Sequence, residues 1–255
     1  MTTSKRVIVT AGAAGIGLSI ARAFAAQGAR VHICDINEDT LQAVTQAQPT
    51  ITSSVCDLSD RSSVERFVAA AAEMLGGIDV LVNNGGIAGP TAPVEKMDPD
   101  AWEAVLALNL TGTFNVTRLA IPHLKKSESG VIINMSSLAG RLGYPNRSAY
   151  AVTKWGLVGF TKTLSMELGD AGIRVNAILP GSVEGPRLRK VFEGRAQATG
   201  KPVEEVVAAA LANQSIKAFV DPDDIAALAV FLASDSARLI SGQTFPIDGD
   251  SQSSQ

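Results

Sequence analysis

Arg6-Val-Ile-Val-Thr-Ala-Gly-Ala-Ala-Gly-Ile-Gly17 opens the chain with a short apolar run that breaks into a glycine-rich turn. Val7, Ile8 and Val9 are β-branched with no polar residue alternating among them, the pattern of a strand buried on both faces. From Gly15 to Gln27 the spacing becomes that of an amphipathic helix. Gly15 and Gly17 let the backbone turn tightly and approach an anion, whose charge the unpaired N–H groups and dipole of the helix N-terminus favour. A strand, a glycine turn and a helix in this order are the phosphate-binding start of a dinucleotide fold. Alone the turn is weak evidence, because glycine turns also arise from packing.

The rest of the chain repeats the alternation. Strands are expected at Arg6–Thr10, Ala29–Cys34, Ile51–Cys56, Val80–Asn83, Val131–Met135, Arg174–Leu179 and Thr244–Ile247. Helices are expected at Gly15–Gln27, Glu38–Gln46, Arg61–Leu75, Ala101–Lys126, Ala149–Leu168 and Pro222–Ala233. Near-continuous apolar strands separated by helices predict an α/β fold, a doubly wound parallel sheet of the Rossmann type with about seven strands and helices on both faces. No linker divides it, so residues 1–249 read as a single dinucleotide-binding catalytic domain. Residues 186–218 interrupt the rhythm after the sixth strand. An insertion there lies beyond the carboxyl end of the sheet, where such folds bind ligands, and is expected to be a substrate lid. Residues 250–255 form a polar tail expected to fray.

Asp35 ends the second strand twenty residues beyond Gly15, where a carboxylate accepts hydrogen bonds from ribose hydroxyls. The same charge repels a 2′-phosphate, and Ala13 and Ala14 bring no cation to offset it. NAD is therefore the expected cofactor. Asn37 stands ready to cap the following helix, which leaves Asp35 to the ribose. Asp57 ends the third strand and Asn83-Asn84-Gly85-Gly86 ends the fourth, beside the same crevice.

Tyr150 and Lys154 stand one helical turn apart, so phenol and ammonium share a face. The positive charge favours the phenolate and draws the tyrosine down from its ordinary value of about 10. Ser137, thirteen residues upstream at the end of a strand-like run, is placed to hydrogen-bond the oxygen that this tyrosine protonates.

Composition narrows the classes further. The 255 residues are 46% hydrophobic and carry a net charge of −3, which gives no electrostatic footprint for nucleic acid or an anionic membrane. No uninterrupted apolar run approaches a membrane span. Lys5-Arg6 followed by Val7 to Ala21 imitates a signal peptide, but its three glycines and amphipathic continuation argue for strand, loop and helix. Cys34 and Cys56 each end a strand-like run and read as buried free thiols, so a cytoplasmic location is expected. His32 and His123 offer no metal site.

These residues resemble the classical short-chain dehydrogenases/reductases over nearly the whole chain. The motifs stand in order: the glycine loop, Asp57, Asn83-Asn84-Gly85-Gly86, Asn109, Ser137, Tyr150-x-x-x-Lys154, Asn176 and Pro180-Gly181. The resemblance implies a catalytic set of Asn109, Ser137, Tyr150 and Lys154. Tyr150 would be the general acid/base, Lys154 would also bind the nicotinamide ribose, and Asn109 would hold a water of a proton relay. It implies cofactor contacts from Gly12, Gly15, Ile16, Gly17, Asp35, Ile36, Asp57, Leu58, Asn83, Gly85, Pro180, Gly181 and Val183. It also implies a homotetramer. Ala11 replaces the usual glycine of the loop, which is expected to alter the turn slightly, Gly85 replaces an alanine, and Gly185 stands where a threonine commonly holds the carboxamide.

The expected activity is hydride transfer between NAD and a secondary alcohol or ketone, the substrate being a small hydroxy acid, sugar, polyol or cyclic alcohol. Ser137, Tyr144, Tyr150 and Arg187 are the candidate substrate contacts. Arginines near the pocket admit an anionic substrate. The rival readings are an NADP-dependent 3-oxoacyl-thioester reductase and a non-catalytic dinucleotide sensor.

Overall fold

Seven strands, all parallel to their neighbours, appear in a computed structural model of the chain, which describes residues 4–252 apart from the side chains of Arg187 and Ala198. They are β1 (Arg6–Thr10), β2 (Arg30–Asp35), β3 (Ile51–Val55), β4 (Val80–Asn83), β5 (Val131–Met135), β6 (Arg174–Pro180) and β7 (Thr244–Ile247), and the sheet runs β3-β2-β1-β4-β5-β6-β7. The chain winds outward from β1 to β3, then crosses back to β4 on the other side of β1. That reversal opens a crevice at the carboxyl ends of β1 and β4, the place where such sheets bind ligands.

Alternation along each strand divides the core in two. Val7, Val9, Val80 and Val82 face α1 (Gly15–Ala26), α2 (Glu38–Ala47) and the last long helix, whereas Ile8, Leu81 and Ile132 face α3 (Arg61–Leu75) and the helices that follow. Both faces are dry, which is why the strands read as continuous apolar runs. Asn37 caps α2 by accepting from the Thr40 amide at 3.0 Å, and Asp60 caps α3. The cap at Asn37 relieves Asp35 of that task.

The expected single helix over 101–126 is instead three pieces: α4 (Pro99–Leu106), a π-helical stretch (Ala107–Gly112) and α5 (Thr113–Leu124). The wide turn brings Gly112 so close to the 58 loop that a Cβ there would lie 2.5 Å from the Leu58 carbonyl oxygen. By length and composition the segment Pro99–Leu124 would suffice to cross a membrane, yet here Val116, Ala120 and Leu124 pack into the core beneath α3. α6 (Ser148–Glu167) carries the Tyr150–Lys154 pair.

After β6 the insert folds as two helices, α7 (Pro186–Thr199) and α8 (Val203–Ala212), before α9 (Pro222–Ala233) rejoins the main layer. Its two ends meet at one parallel bridge, where Glu184 N donates to Val220 O and Val220 N to Ser182 O, both at 2.9 Å. The tail departs from expectation as far as it is described. Ser251 is buried and bridges Gln214, and Gln252 N donates to Asn213 O at 3.0 Å, so backbone pairing holds residues 250–252 although they are polar. Residues 253–255 lie outside the described residues.

Candidate active site

A cavity of about 570 Å³ lies along the carboxyl ends of the strands. At one end Ala11, Gly15, Ile16 and Asp35 line it. Gly15 has φ +51° with nothing within 4 Å of where a Cβ would stand, so its backbone faces open space that a pyrophosphate can enter. Gly17 works oppositely: a Cβ there would meet Ala11 O at 2.2 Å and Asn84 Nδ2 at 2.5 Å. The loop is tied down from beneath, since Asn84 Nδ2 donates to Thr10 O at 3.1 Å and Ala11 O at 3.0 Å, while Gly85 N donates to Thr10 Oγ1 at 2.9 Å. Ala11 takes φ +49°, the left-handed conformation natural to glycine, so the turn keeps its shape and the alanine bears the strain, about 1 kcal/mol. Asp35 holds its place by accepting from the amides of Ala13 at 3.4 Å and Asn37 at 3.3 Å. An open phosphate cradle with a carboxylate lining the same cavity fits a nicotinamide dinucleotide.

At the other end stand Ser137, Tyr150 and Lys154. Lys154 is buried, and its ammonium donates to Met135 O at 2.8 Å while lying 5.4 Å from the Tyr150 ring centroid. Ser136, next to the proposed serine, spends its hydroxyl on Lys154 O at 2.8 Å and so locks α6 against β5. Ser137 has extended backbone at the start of a short 3-10 turn (Leu138–Gly140) and accepts from the Ala139 amide at 3.2 Å. Asn109 sits in the π-helical turn with no exposure. Its Oδ1 accepts from Ile87 N at 2.8 Å, and its Nδ2 donates to Ile87 O at 3.0 Å and Thr153 Oγ1 at 3.2 Å. That carboxamide is committed to protein partners, clamping the 86–87 turn against α6. Gly86 fills the gap: a Cβ there would be 3.4 Å from both Asn109 Oδ1 and Lys154 Nζ.

Comparison with known proteins decides the affiliation. The family model described as enoyl-(acyl carrier protein) reductase matches residues 11–249. The chain belongs to the short-chain dehydrogenase/reductase family. It is 40% identical over 254 residues to a D-beta-hydroxybutyrate dehydrogenase of Cupriavidus necator, covering 98% of each chain. Among solved structures it resembles an NAD⁺-bound xylitol dehydrogenase (TM-score 0.93, 28% identity, covering 98% of this chain and 100% of that one). It also resembles a variant of actinorhodin polyketide ketoreductase with NADPH (TM-score 0.92, 32% identity, covering 98% and 97%). It is thus an oxidoreductase acting between a nicotinamide dinucleotide and a secondary alcohol or ketone.

Several expected site residues of this dehydrogenase stand elsewhere than the cavity wall. Pro180, Gly181 and Val183 line it. Gly12 lies behind the loop, where a Cβ would press Ile33 at 2.7 Å, and Leu58 packs under Gly85. The Asp57 carboxylate accepts from Ser59 N at 2.8 Å and Ser59 Oγ at 2.7 Å, making a turn, and Ile36 is solvent-exposed. Asn83 is turned inward, donating to Thr117 Oγ1 at 2.9 Å and Asn134 Oδ1 at 2.8 Å, while Asn134 reaches Thr161 on α6. The cavity is faced instead by Asn84 and Gly86, which the same quoted run contained. Strand alternation would have separated them, since Asn83 follows Leu81 onto the α3 face. Tyr144 lines the substrate end, together with Arg147 and Arg195; the Arg187 side chain lies outside those described.

Proposed function

We propose that this chain is an NAD-dependent secondary-alcohol dehydrogenase/ketone reductase in which Tyr150 is the general acid/base. The observation that carries the reading is the buried Lys154 ammonium, 5.4 Å from the Tyr150 ring in a cavity that Ser137 and Asp35 also line. The nicotinamide ring, when bound, supplies hydride exchange with the carbinol or carbonyl carbon. In oxidation the Tyr150 phenolate accepts the hydroxyl proton, and in reduction the phenol returns it to the carbonyl oxygen. Ser137 Oγ hydrogen-bonds that same oxygen and fixes its distance from Tyr150. Lys154, held by Met135 O, stabilises the phenolate by its charge and reaches the nicotinamide ribose. Asn109 is a positioning residue that holds the 86–87 turn against this group.

Asp35 supports NAD over NADP, because a 2′-phosphate beside its carboxylate would face uncompensated repulsion. The insert 186–218 is the lid, its ends drawn together at the Val183–Val220 bridge and α7 facing the pocket. Phe114, Val152 and Trp155 leave an apolar strip exposed along α5 and α6, which supports assembly with further copies as a homotetramer. The two buried free thiols support a cytoplasmic location. Purified protein assayed by NAD(P)H absorbance against hydroxy acids, polyols and cyclic alcohols tests the reading. Turnover should favour NAD and fall by about 10³-fold or more in Tyr150→Phe while NADH binding persists. Retained turnover in that variant would remove Tyr150 from the chemistry. Activity confined to NADPH and oxoacyl thioesters would transfer the assignment to the thioester-reductase reading.

A further inference from the structure

Residues 250–252 are all polar, and fixing their backbone costs free energy that no apolar side chain of their own offsets. They are held because the tail lies across the exit of the lid. Residues 249–252 run antiparallel to the residues that follow α8. Ile216 N donates to Gly249 O at 3.0 Å, Ser215 N to Asp250 O at 3.3 Å and Gln252 N to Asn213 O at 3.0 Å. Side chains add to the seam, with Ser215 Oγ donating to Asp250 Oδ2 at 2.6 Å and Asp250 N to Asp248 Oδ1 at 3.0 Å. Asp250 takes the left-handed conformation, φ +57°, to make the turn, and Gly249 approaches so closely that a Cβ there would lie 2.9 Å from Ile216 O.

The seam reaches the cavity. Gln214 and Ser251 pair at its bridge, both are buried, and both line the cavity wall together with Ala210 and Asn213 at the end of α8. Leu188, Val191 and Arg195 of α7 supply more of the same wall, so the lid builds most of it. Among the described residues Ser251 is the wall's one contribution from beyond β7. The Ser251 hydroxyl donates to Asp248 O at 2.9 Å, and the Gln214 amide donates to Ile216 O at 3.0 Å and Ala218 O at 2.8 Å. These donors are spent on backbone carbonyls, so what this part of the wall presents to a substrate is its size.

We propose that residues 249–252 are a strap that fastens the end of α8, and that Ser251 sets how long a substrate the pocket accepts. This rests on the dehydrogenase reading above and names a residue that decides its specificity. A small side chain at 251 leaves the cavity its length. A branched one is driven into that space, because the seam fixes the backbone on either side. Releasing the strap removes the wall and loosens α8 together.

The experiment uses pairs of alcohols that differ only in length: 3-hydroxybutyrate with 3-hydroxyoctanoate, and 2-butanol with 2-octanol. Turnover with NAD is measured for each. Binding of each to the NADH-loaded protein, which cannot oxidise it, is measured by calorimetry. Ser251→Leu should lower the long-to-short ratio of kcat/KM by about tenfold or more with the short member changed less than about twofold, since a methylene without room in a pocket costs about that factor. Binding of the long members should weaken selectively in the same variant. Deleting residues 250–255 should raise the ratio and lower amide hydrogen-exchange protection across α8 by about tenfold or more. Ser215→Ala removes only the exposed contact to Asp250, guards against a folding defect in the shortened chain, and should move both readouts the same way by about twofold.

A ratio that Ser251→Leu leaves in place, a fall shared equally by long and short members, or α8 exchange unaltered without residues 250–255 would each overturn the proposal while leaving the dehydrogenase reading intact. Selective loss of long-member binding in Ser251→Leu, with no turnover of any alcohol, would uphold the wall and remove the dehydrogenase reading. Absence of both turnover and length-dependent binding would remove the two together.

Discussion

Replacing Asp79 by Asn should destabilise the protein at neutral pH by an amount that halves in acid. Asp79 sits just before β4, where its carboxylate accepts from Arg6 Nη2 at 2.7 Å, Arg6 Nε at 2.9 Å, Arg6 N at 2.8 Å and Ser127 Oγ at 2.6 Å, joining β1, β4 and the turn before β5. Burial alone would raise its pKa, but these hydrogen bonds and the Arg6 charge outweigh that and hold it at about 2, down from 3.8. At about 1.4 kcal/mol per tenfold change in proton affinity, the depression contributes about 2 kcal/mol. The folded value lies below the unfolded one, so this contribution is fully present above about pH 4 and is lost as pH falls through 2. At about pH 3 roughly half remains, about 1 kcal/mol. With Tm moving about 2–4 °C per kcal/mol in a chain of this size, Asp79→Asn should lower Tm by about 4–8 °C near pH 7 and by about half as much near pH 3. Calorimetric melts of both proteins at the two pH values read the gap directly. A gap of the same size at both would show that the loss comes from packing, and that ionisation of Asp79 contributes nothing.

Three further outcomes follow from individual positions. Ala11→Gly relieves a left-handed residue at φ +49° and should raise stability by about 1 kcal/mol with NADH affinity kept; a lower melting temperature would argue against the strain. His32, buried between Thr52 Oγ1 and Ser54 Oγ at 2.8 Å each, has its pKa pushed down to about 4 by burial. The fold therefore prefers it neutral, and stability present above about pH 6.5 is lost as pH falls towards 4. His32→Gln should flatten that slope in denaturant melts, and an unchanged slope would place the acid sensitivity elsewhere. Asp35→Ser should narrow the preference for NAD over NADP by about tenfold or more in kcat/KM, and an unaltered ratio would mean that another group selects the cofactor.

The inner strands were legible because they are dry on both faces, and an unbroken β-branched run such as Val7-Ile8-Val9 has few other uses. Helix interiors were legible for a related reason, since one apolar stripe meets the sheet. The π-helical turn was hidden because its cause is tertiary: Asn109 is drawn to the backbone of Ile87, twenty-two residues away, and nothing in the local period announces it. The motifs lie in the segments around the cavity, but which of their side chains face it depends on the strand pleat. Asn83 and Asp57 are spent on internal hydrogen bonds, while Asn84 and Gly86 face the cavity. The paired arginines at Tyr144 come from segments about fifty residues apart, and only the fold brings them to one ring.

The parallel bridge between Val183 and Val220 separates the sheet from the helical segment that walls the pocket. Residues between those two positions can lengthen, shorten or be exchanged with no strand of the sheet changing register, provided that residues 213–216 keep their backbone pairing with residues 249–252. A segment grafted between those two positions would inherit the hydride and proton machinery intact while bringing its own wall to the pocket. New specificities would then arise by trading one module, and a laboratory wishing to redirect the enzyme has its cut sites marked.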